Sequence, residues 1–165
     1  MSFRNGSVQT LITTTSRAEN LPRPRDPSRR TRSRTGSEMK KIKKGTPKLS
    51  IVIVNYNADD LLANCVQAVL ASPVDPEVVI SDNGSTDGSL THVRSCHGED
   101  PRLTILEHGS NLGFARGNNL ALAHTHAPCV LILNPDCIVG PDSLGRLLDF
   151  MDATPDARNG RLYDS

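Results

Sequence analysis

The chain is 165 residues long, with 36% hydrophobic and 3% aromatic residues, a composition that suits one ordinary globular domain. Its overall net charge of +1 conceals a sharp division, because residues 1–48 hold 13 Lys and Arg against 3 Asp and Glu, whereas residues 49–165 hold 6 against 15. No apolar run approaches the ~20 residues of a membrane span, and the first residues lack the apolar core of a secretory signal peptide.

Residues 1–48 form a basic segment that we expect to be disordered. The segment is rich in Arg, Ser, Thr, Pro and Gly, carries basic runs at 29–32 and 40–44, and shows no sustained apolar period. Such a composition cannot bury enough apolar surface to offset the entropy lost on ordering. Two interpretations stay open: a solvated tail, and a tether drawn by its charge to anionic lipid headgroups or nucleic-acid phosphates.

The four cysteines, at positions 65, 96, 129 and 137, are scattered along the chain. They form no C-x-x-C pair and have no histidine at zinc-finger spacing, so the sequence predicts neither a metal cluster nor a disulfide framework. A reducing cytoplasm is the expected location. Cys65 and Cys129 lie in apolar periodic runs, which predicts that both are small core residues.

Residues 49–165, which carry the excess of Asp and Glu, alternate between strand and helix patterns. Residues 49–54 form a β-branched run that predicts a buried strand, and Asp59 or Asp60 is placed to cap a following helix. Residues 78–80 predict a second buried strand, followed by a turn at 82–87 and a second helix. The apolar positions of these two helices are Leu61, Leu62, Cys65, Val66, Val69 and Leu70, then Leu90 and Val93.

The alternation continues through the second half. Residues 103–106 predict a third strand, and a glycine-bearing loop at 111–119 precedes a helix through Leu120, Leu122 and Ala123. Residues 129–133 predict a fourth strand, which ends abruptly at Asn-Pro-Asp. A last helix, capped by Asp142 or Ser143, carries Leu144, Leu147, Leu148 and Met151 on one face before Pro155 ends the pattern.

This β-α alternation with continuous apolar strands predicts an α/β fold, a doubly wound and mainly parallel sheet covered by helices on both faces. Ligands of such sheets bind beyond the carboxyl ends of the strands. Four polar clusters follow the four predicted strands, and we expect them to meet at one edge as a binding site: Asn55 with Tyr56, Asp82 with Asn83, residues 111–113, and residues 134–136.

Four motifs occur in a fixed order: Val-Ile-Val-Asn-Tyr-Asn at 52–57, Ser-Asp-Asn-Gly-Ser-Thr-Asp-Gly-Ser at 81–89, Asn-Leu-Gly-Phe at 111–114, and Leu-Asn-Pro-Asp at 133–136. Together they resemble family 2 glycosyltransferases of the GT-A fold, most of all the rhamnosyltransferase and galactofuranosyltransferase branch. The resemblance implies a nucleotide-sugar-binding domain at 49–157 and the start of a further C-terminal part at 158–165. The family's acceptor-binding half would lie beyond this region.

The resemblance assigns roles to two residues near the nucleotide base. Asp82 stands where the family uses a carboxylate to accept a hydrogen bond from a pyrimidine, a suitable role for a group that only accepts. Tyr56 stands where an aromatic ring lies near that base. Alternatives remain open for both, because Asp82 can instead stabilise the following turn and Tyr56 can serve in packing. Asp87 is better explained as a helix cap than as a ligand contact.

The glycine-bearing loop supplies further candidates. Gly113 and Gly117 are placed to let the backbone approach a ligand, although a turn with positive φ accounts for them equally well. Asn119 matches the family's asparagine on the following helix. Arg116 is either a phosphate partner or a solvated side chain. None of the five histidines matches a catalytic position of the family, and surface positions are expected for His124 and His126.

Asp136 matches the second aspartate of the family's Asp-x-Asp signature, and Asn134 occupies the first position. The resemblance implies that Asp136 binds Mg²⁺ or Mn²⁺ together with the diphosphate of the donor, with the remaining ligands coming from diphosphate and water. The alternative is an ordinary turn aspartate after proline. A bound cation would stabilise the charge that develops on the departing nucleoside diphosphate.

The expected function is inverting transfer of a sugar from a dTDP- or UDP-linked donor to a saccharide or lipid-linked acceptor, in a truncated form of the enzyme. No residue is assigned as the general base. The rivals are a nucleotide-sugar-binding module without turnover and a tether that acts through the basic segment. A nucleotidyltransferase lacks its expected glycine-rich loop. We expect a cytoplasmic protein, with peripheral membrane contact and no specific nucleic-acid partner.

Overall fold

The computed structural model describes residues 12–13 and 45–154. The predicted disorder of the basic segment, apart from residues 12–13 and 45–48, and the predicted start of a C-terminal part at 158–165 lie outside the described residues. The elements, in chain order, are β1 (Ile12–Thr13), β2 (Leu49–Asn55), α1 (Asp60–Leu70), β3 (Glu77–Asp82), α2 (Ser89–His97), β4 (Leu103–Glu107), α3 (Phe114–Leu122), β5 (Cys129–Leu133) and α4 (Ser143–Ala153).

The strands form one sheet in the order β1-β5-β2-β3-β4. Four of them, β2 to β5, run parallel, and β1 pairs antiparallel with β5 at one edge. Ile53 of β2 stands opposite both Ile80 of β3 and Leu133 of β5, so the carboxyl ends of these strands lie level. The predicted α/β architecture with a mainly parallel sheet is therefore confirmed. The short strand β1, which the sequence did not predict, extends the sheet.

Apolar side chains cover both faces of the sheet. Alternate residues along a strand face opposite sides, so Ile51 and Ile53 join one core cluster and Val52 joins the other. The larger cluster includes residues of α1, α2 and α4, and the smaller one includes Ala121 of α3. Every residue of β2 is buried, as are Cys65 and Cys129, which confirms their prediction as core residues. Burial of each Ile or Val side chain stabilises the fold by ~1.5–3 kcal/mol.

The predicted side-chain caps of α1 and α4 are wrong. Asp59 and Asp142 occupy the capping positions, yet neither makes a side-chain hydrogen bond to its helix. A capping side chain requires an extended backbone, whereas Asp59 has φ 51° and Asp142 has φ −101° with ψ −1°. The backbone N–H of Asp59 instead donates to Asp87 Oδ2 at 2.6 Å.

Helix α3 begins at Phe114, so much of the loop predicted at 111–119 is helical. The first turn closes with a hydrogen bond from the Gly117 N–H to the Gly113 carbonyl oxygen, at 3.1 Å. Glycine lowers intrinsic helix propensity, but packing against the sheet overrides that preference here. No helix among the described residues is both long and apolar enough to cross a membrane.

A polar network stabilises the opposite, amino edge of the sheet around Glu77. Its carboxylate accepts hydrogen bonds from Ser50 Oγ (2.6 Å) and the His126 backbone N–H (2.9 Å), and it pairs with His126 Nδ1 (2.6 Å). Ser50 Oγ also accepts a bond from the Ala127 N–H at 3.2 Å. Partial burial acts to raise the pKa of Glu77, but the hydrogen bonds and the charge of His126 outweigh it and lower that pKa below its ordinary value.

We expect Glu77→Gln to lower the free energy of unfolding by about 1–3 kcal/mol at pH 7, because charge-assisted hydrogen bonds are lost. A carboxyl group whose pKa is lowered in the folded state stabilises the protein above its unfolded-state pKa and loses that contribution as the pH falls through the folded-state pKa. The gap between wild type and variant should therefore shrink in urea unfolding at acidic pH. Glu99→Gln, at an exposed position, is the control. An equal gap at every pH would contradict the role of the Glu77 charge.

Candidate functional site

The carboxyl ends of the parallel strands bring the predicted polar clusters to one edge. Asn55 and Asp82 stand opposite each other at the ends of β2 and β3, and the Asn83 N–H donates to the Asn55 carbonyl oxygen at 2.8 Å. The His108 N–H, just after β4, donates to the Asp82 carbonyl oxygen at 3.0 Å. Leu133, the last residue of β5, pairs with Ile53, so Asn134 continues from the same edge.

Asn55 is the buried centre of a side-chain network beneath this edge. Its Nδ2 lies 2.8 Å from Asp82 Oδ1 and 2.9 Å from both Ser85 Oγ and Ser89 Oγ. These contacts connect the end of β2 to the turn after β3 and to the first residue of α2. Asn55 therefore holds the site's backbone in place from below, rather than facing a ligand.

Asp82 is only 2% exposed, and its carboxylate accepts four hydrogen bonds within the chain. Oδ1 accepts from Asn55 Nδ2 (2.8 Å) and Ser85 Oγ (2.6 Å), whereas Oδ2 accepts from the backbone N–H groups of Gly84 (3.1 Å) and Ser85 (3.0 Å). A carboxylate offers about four acceptor positions, so all of them are in use. The structure thus displays the turn-stabilising role, and the predicted contact with a base requires exchange of one of these bonds.

Asp87 lies beside the start of α2, where Gly88 holds the capping position. Its Oδ1 accepts from the Ser89 N–H at 3.0 Å, and its Oδ2 accepts from the Asp59 N–H. Slight burial acts to raise the pKa of Asp87, but these hydrogen bonds outweigh it and lower that pKa. Gly88, and not Asp87, is therefore the N-cap of α2, which makes the predicted cap residue wrong. The Asp87 carboxylate still binds the first N–H of α2 and also fixes the loop before α1.

Tyr56 directly follows β2 and is 53% exposed, so its ring is accessible at the carboxyl edge. The next residue, Asn57, is fixed by two hydrogen bonds: its Oδ1 accepts from the Thr86 N–H at 2.8 Å, and its own N–H donates to Ser85 Oγ at 3.0 Å. The backbone on either side of the ring is thus held to the network of Asp82 while the ring itself remains uncovered.

Gly113, in the cluster at 111–113, and Gly117, in α3, have different roles. Gly113 has φ 81°, so the positive-φ interpretation applies to it. Gly117 is needed for close packing of α3, because an added Cβ would lie 3.2 Å from Val54 Cγ1 and 3.3 Å from Ser81 Oγ. Asn119 lies on an exposed side of α3, as does Arg116, whereas Asn118 is buried. Gly113, Arg116 and Asn119 can therefore face a ligand, and Gly117 cannot.

His108 belongs to this edge, although sequence reasoning gave it no role. Its Nε2 lies 2.8 Å from Ser81 Oγ, and that hydroxyl donates its hydrogen to the Gly117 carbonyl oxygen at 2.9 Å. Since the serine hydrogen is used, Nε2 must carry a proton and donate to Ser81. This chain of bonds joins β3, the end of β4 and α3. The sequence did offer one sign of this role, because His108 is a polar residue directly after β4, at the edge where ligands of such sheets bind.

Asp136 lies in the exposed loop after β5, two residues beyond Asn134. The Asn134 carbonyl oxygen accepts hydrogen bonds from Cys65 Sγ (3.6 Å) and from the Cys137 N–H (3.1 Å), which fixes the start of the loop. Burial raises the pKa of the Cys65 thiol to about 12, with smaller contributions from Cys137 and Asp136. Burial, followed by the charge of Asp136, also raises the pKa of Cys137.

The residues around Asp136 determine which kind of metal site the loop can form. The described residues contain no group of three or more His, Cys, Asp or Glu side chains that could hold a metal ion. One exposed carboxylate fits a hard cation that takes its other ligands from a diphosphate and water, and does not fit a cation enclosed by protein. The donor set of the loop therefore agrees with a cation that arrives with a substrate.

A cavity of about 660 Å³ lies away from these residues, at the amino edge of the sheet. It is lined by Lys48, Pro73, Val74, Pro128, Cys129, Gly145, Leu148, Asp149 and Asp152. None of the predicted site residues lines it. The candidate site is thus an open surface at the carboxyl edge, and the cavity belongs to a separate part of the domain.

The family model described as "Glycosyl transferase family 2" matches residues 50–161. The chain belongs to this family. Among curated relatives, it is 38% identical to the succinoglycan biosynthesis protein ExoU of Rhizobium meliloti over 98 residues, which are 59% of this chain and 29% of that protein. It is 32% identical to the chondroitin synthase of Pasteurella multocida over 99 residues, again 59% of this chain but 10% of that protein. The chain thus spans less than a third of these relatives.

Two solved structures share the fold. The mannosyltransferase PcManGT from Pyrobaculum calidifontis, in complex with GDP-Man and Mn²⁺, superimposes with a TM-score of 0.58 at 25% identity, covering 65% of this chain and 33% of that one. TarS 1-349 of S. aureus, in complex with UDP-GlcNAc, gives a TM-score of 0.59 at 21% identity, covering 66% and 32%. The GT-A-like architecture of this glycosyltransferase domain is confirmed.

Gly84 offers a test of how tightly the Asp82 turn is built. It has φ +76°, and an added Cβ would lie 2.8 Å from the Ser110 N and 2.9 Å from the Ser110 Cα. Gly88 has φ +85° but nothing within 4 Å of an added Cβ, so Gly88→Ala isolates the cost of the backbone conformation, ~1–2 kcal/mol.

We expect Gly84→Ala to lower the free energy of unfolding by more than Gly88→Ala, because it adds a backbone clash to the same conformational cost. The loop at 109–111 should also lose protection in hydrogen exchange. Equal losses of stability in urea unfolding for the two variants would contradict direct packing of this turn on Ser110.

Proposed function

We propose that this domain binds the nucleotide diphosphate of an activated sugar at the carboxyl edge of its sheet and supplies the donor side of an inverting glycosyl transfer. The single observation that carries the proposal is the exposed Asp136 after β5, at the same edge as the exposed Tyr56 after β2. Hydrogen bonds to other elements hold the backbone next to each of these side chains, at Asn134 and at Asn57. Membership of glycosyl transferase family 2 supports the assignment.

We assign the diphosphate side of the donor to the loop at 134–136. Asp136, with the Asn134 amide nearby, would hold a Mg²⁺ or Mn²⁺ ion together with the diphosphate oxygens. When bound, the cation stabilises negative charge on the nucleoside diphosphate leaving group. The structurally similar mannosyltransferase PcManGT was solved in complex with GDP-Man and Mn²⁺, which supports a metal-dependent donor site here. Gly113, just before α3, and Asn119, on α3, are proposed to border the donor.

We assign the base of the donor to the surface beside Tyr56 and Asp82. The exposed Tyr56 ring provides a stacking surface, and every base has a face that can stack. The Ser85 hydroxyl can rotate away from Asp82 Oδ1 and release one acceptor for an imide N–H. We propose a UDP- or dTDP-linked donor and place the chain in the rhamnosyltransferase and galactofuranosyltransferase branch, on the Asn-Pro-Asp pattern at 134–136.

The acceptor is proposed to be a saccharide or a lipid-linked saccharide, in keeping with relatives described as a succinoglycan biosynthesis protein and a chondroitin synthase. We propose that the protein works in the cytoplasm, where residues 1–48, with 13 basic against 3 acidic side chains, contact the inner face of the membrane. No general base is assigned within residues 49–157. The second candidate function is a nucleotide-sugar-binding module without turnover.

The first experiment is calorimetric titration of the full chain with UDP and with dTDP, in the presence and absence of Mn²⁺. We expect Mn²⁺-dependent binding that weakens by ~10–100-fold or more in Asp136→Asn, since even outer-sphere metal partners have effects of that size. Asp149→Asn is the matched control, because it removes an exposed carboxylate at the opposite edge of the sheet. No heat with either nucleotide, with or without Mn²⁺, would reject both the donor site and the binding-module alternative.

Turnover separates the enzyme from the binding module. Release of free nucleoside diphosphate from a UDP- or dTDP-sugar, abolished by Asp136→Asn and retained by Asp149→Asn, is expected of the transferase. Nucleotide binding of normal strength without any such release would instead favour the binding module.

Tyr56 is tested by two substitutions. Tyr56→Ala should weaken nucleotide binding by ~1–3 kcal/mol, the contribution of one base-aromatic stack, whereas Tyr56→Phe should bind as the wild type does. Because the ring is largely exposed, neither substitution should change the urea unfolding midpoint by much. A loss of stability in Tyr56→Ala without a loss of binding would favour the packing role over the base contact.

A further inference from the structure

Two cysteines that are distant in the sequence meet beneath the loop that carries Asp136. Cys65 lies in the middle of α1 and is fully buried, and Cys137 follows Asp136 in the exposed loop after β5 and is partly buried. Their separation of 72 positions, with no C-x-x-C spacing, gave no sign of this in the sequence. Neither thiol is assigned a contact with the donor, although the Cys65 thiol binds the Asn134 carbonyl oxygen at the start of the loop.

The two residues meet at one backbone oxygen. Cys65 Sγ donates to the Asn134 carbonyl oxygen at 3.6 Å, and the same oxygen accepts a hydrogen bond from the Cys137 N–H at 3.1 Å. The Cys137 side chain packs against the core cluster that contains Cys65. Because both groups surround one oxygen, the Cys137 backbone lies near the Cys65 sulfur. Such proximity is a condition for a disulfide, which forms over Cα separations of ~4.4–6.8 Å.

We propose that Cys65 and Cys137 are a reversible oxidation site, at which a peroxide joins them in a disulfide between α1 and the loop at 134–139. The class of co-reactant is a hydroperoxide, with hydrogen peroxide as the simplest member. The site does not depend on the proposed transferase activity. The disulfide would add a covalent bond between α1 and the loop, which hydrogen bonds to the Asn134 carbonyl oxygen already hold together.

The chemistry balances in two steps. The sulfur of Cys137, the more exposed of the pair, attacks one peroxide oxygen, the O–O bond breaks, and Cys137 becomes a sulfenic acid with release of one water. The Cys65 sulfur then attacks the Cys137 sulfur, the S–O bond breaks, and a second water leaves. Two thiols are oxidised to one disulfide while one peroxide is reduced to two waters. A dithiol such as dithiothreitol reverses the change by thiol–disulfide exchange.

The position of the bond determines its consequence for the fold. Cys65 is fixed within α1, which is packed into the core, while Cys137 is the immediate neighbour of the exposed Asp136. A disulfide would therefore restrict the backbone of the loop next to the carboxylate. Fewer conformations of the loop at 134–139 should be accessible in the oxidised protein than in the reduced one.

The test is peptide mapping by mass spectrometry of the folded, full-length chain after treatment with hydrogen peroxide, without reductant. We expect one cross-linked peptide pair that contains Cys65 and Cys137, lighter by two hydrogen atoms than the sum of the reduced peptides and lost on addition of dithiothreitol. Hydrogen exchange of the peptide covering 134–139 should slow in the oxidised form. Exposed Cys96, substituted as Cys96→Ser, is the control and should leave the cross-link unchanged.

Two variants keep the result decisive. In Cys65→Ala, Cys137 should accumulate as a sulfenic acid that dimedone traps, because its partner is gone. If this core substitution unfolds the protein by circular dichroism, Cys137→Ser replaces it, and Cys65 should then stay reduced under the same peroxide. Stable sulfinic acid at Cys137 in the wild type, pairing of Cys137 with Cys96 or Cys129, or absence of any Cys65–Cys137 pair would overturn the proposal.

Discussion

Burial of the Asp82 carboxylate at the end of β3 is the constraint on which the carboxyl edge depends. A charge removed from water is costly unless it is compensated by hydrogen bonds, and Asp82, at 2% exposure, receives four of them. Two come from backbone N–H groups of the turn that follows, so the turn has to fold back on its own aspartate. Asn55, which supplies the fourth donor from β2, makes that arrangement depend on the register of the two central strands.

The burial of Asp82 explains which residues form the turn after β3, without any contribution from a ligand. Gly84 is required because its φ is positive and because the backbone of Ser110 lies against it. Ser85 donates to Asp82 with both its backbone N–H and its hydroxyl, and the same hydroxyl oxygen accepts from the Asn57 N–H. Asp87 holds the first turn of α2 and the loop before α1 together. Many side chains of the motif at 81–89, which resembles a ligand-binding signature, therefore stabilise the backbone around the site.

The sequence predicted the sheet well, because buried parallel strands leave short, continuous apolar runs between amphipathic helices, a pattern typical of this architecture. The short strand at Ile12–Thr13 could not be found, since two residues carry no period. The predicted caps at Asp59 and Asp142 were wrong because residue type alone does not determine φ and ψ, and neither residue has the extended conformation that a cap requires. Helix α3 began early because packing of Gly117 against Val54 and Ser81 outweighed its weak propensity.

For the site, sequence reasoning located the right edge but could not assign each polar residue to the support or to the surface. Asp82 and Asn55 are buried and hydrogen-bonded to each other across β2 and β3, whereas Tyr56, Asn119 and Asp136 are exposed. Whether a polar residue is buried or exposed depends on which side chains of β2, β3 and α3 contact each other. The periodicity of the sequence does not predict those contacts. His108 illustrates the point, because its bond to Ser81 depends on parallel pairing of β3 with β4. An exposed ring and an exposed carboxylate on an edge that hydrogen bonds hold in place are what a donor site needs, since ligand binding then requires little ordering of the protein.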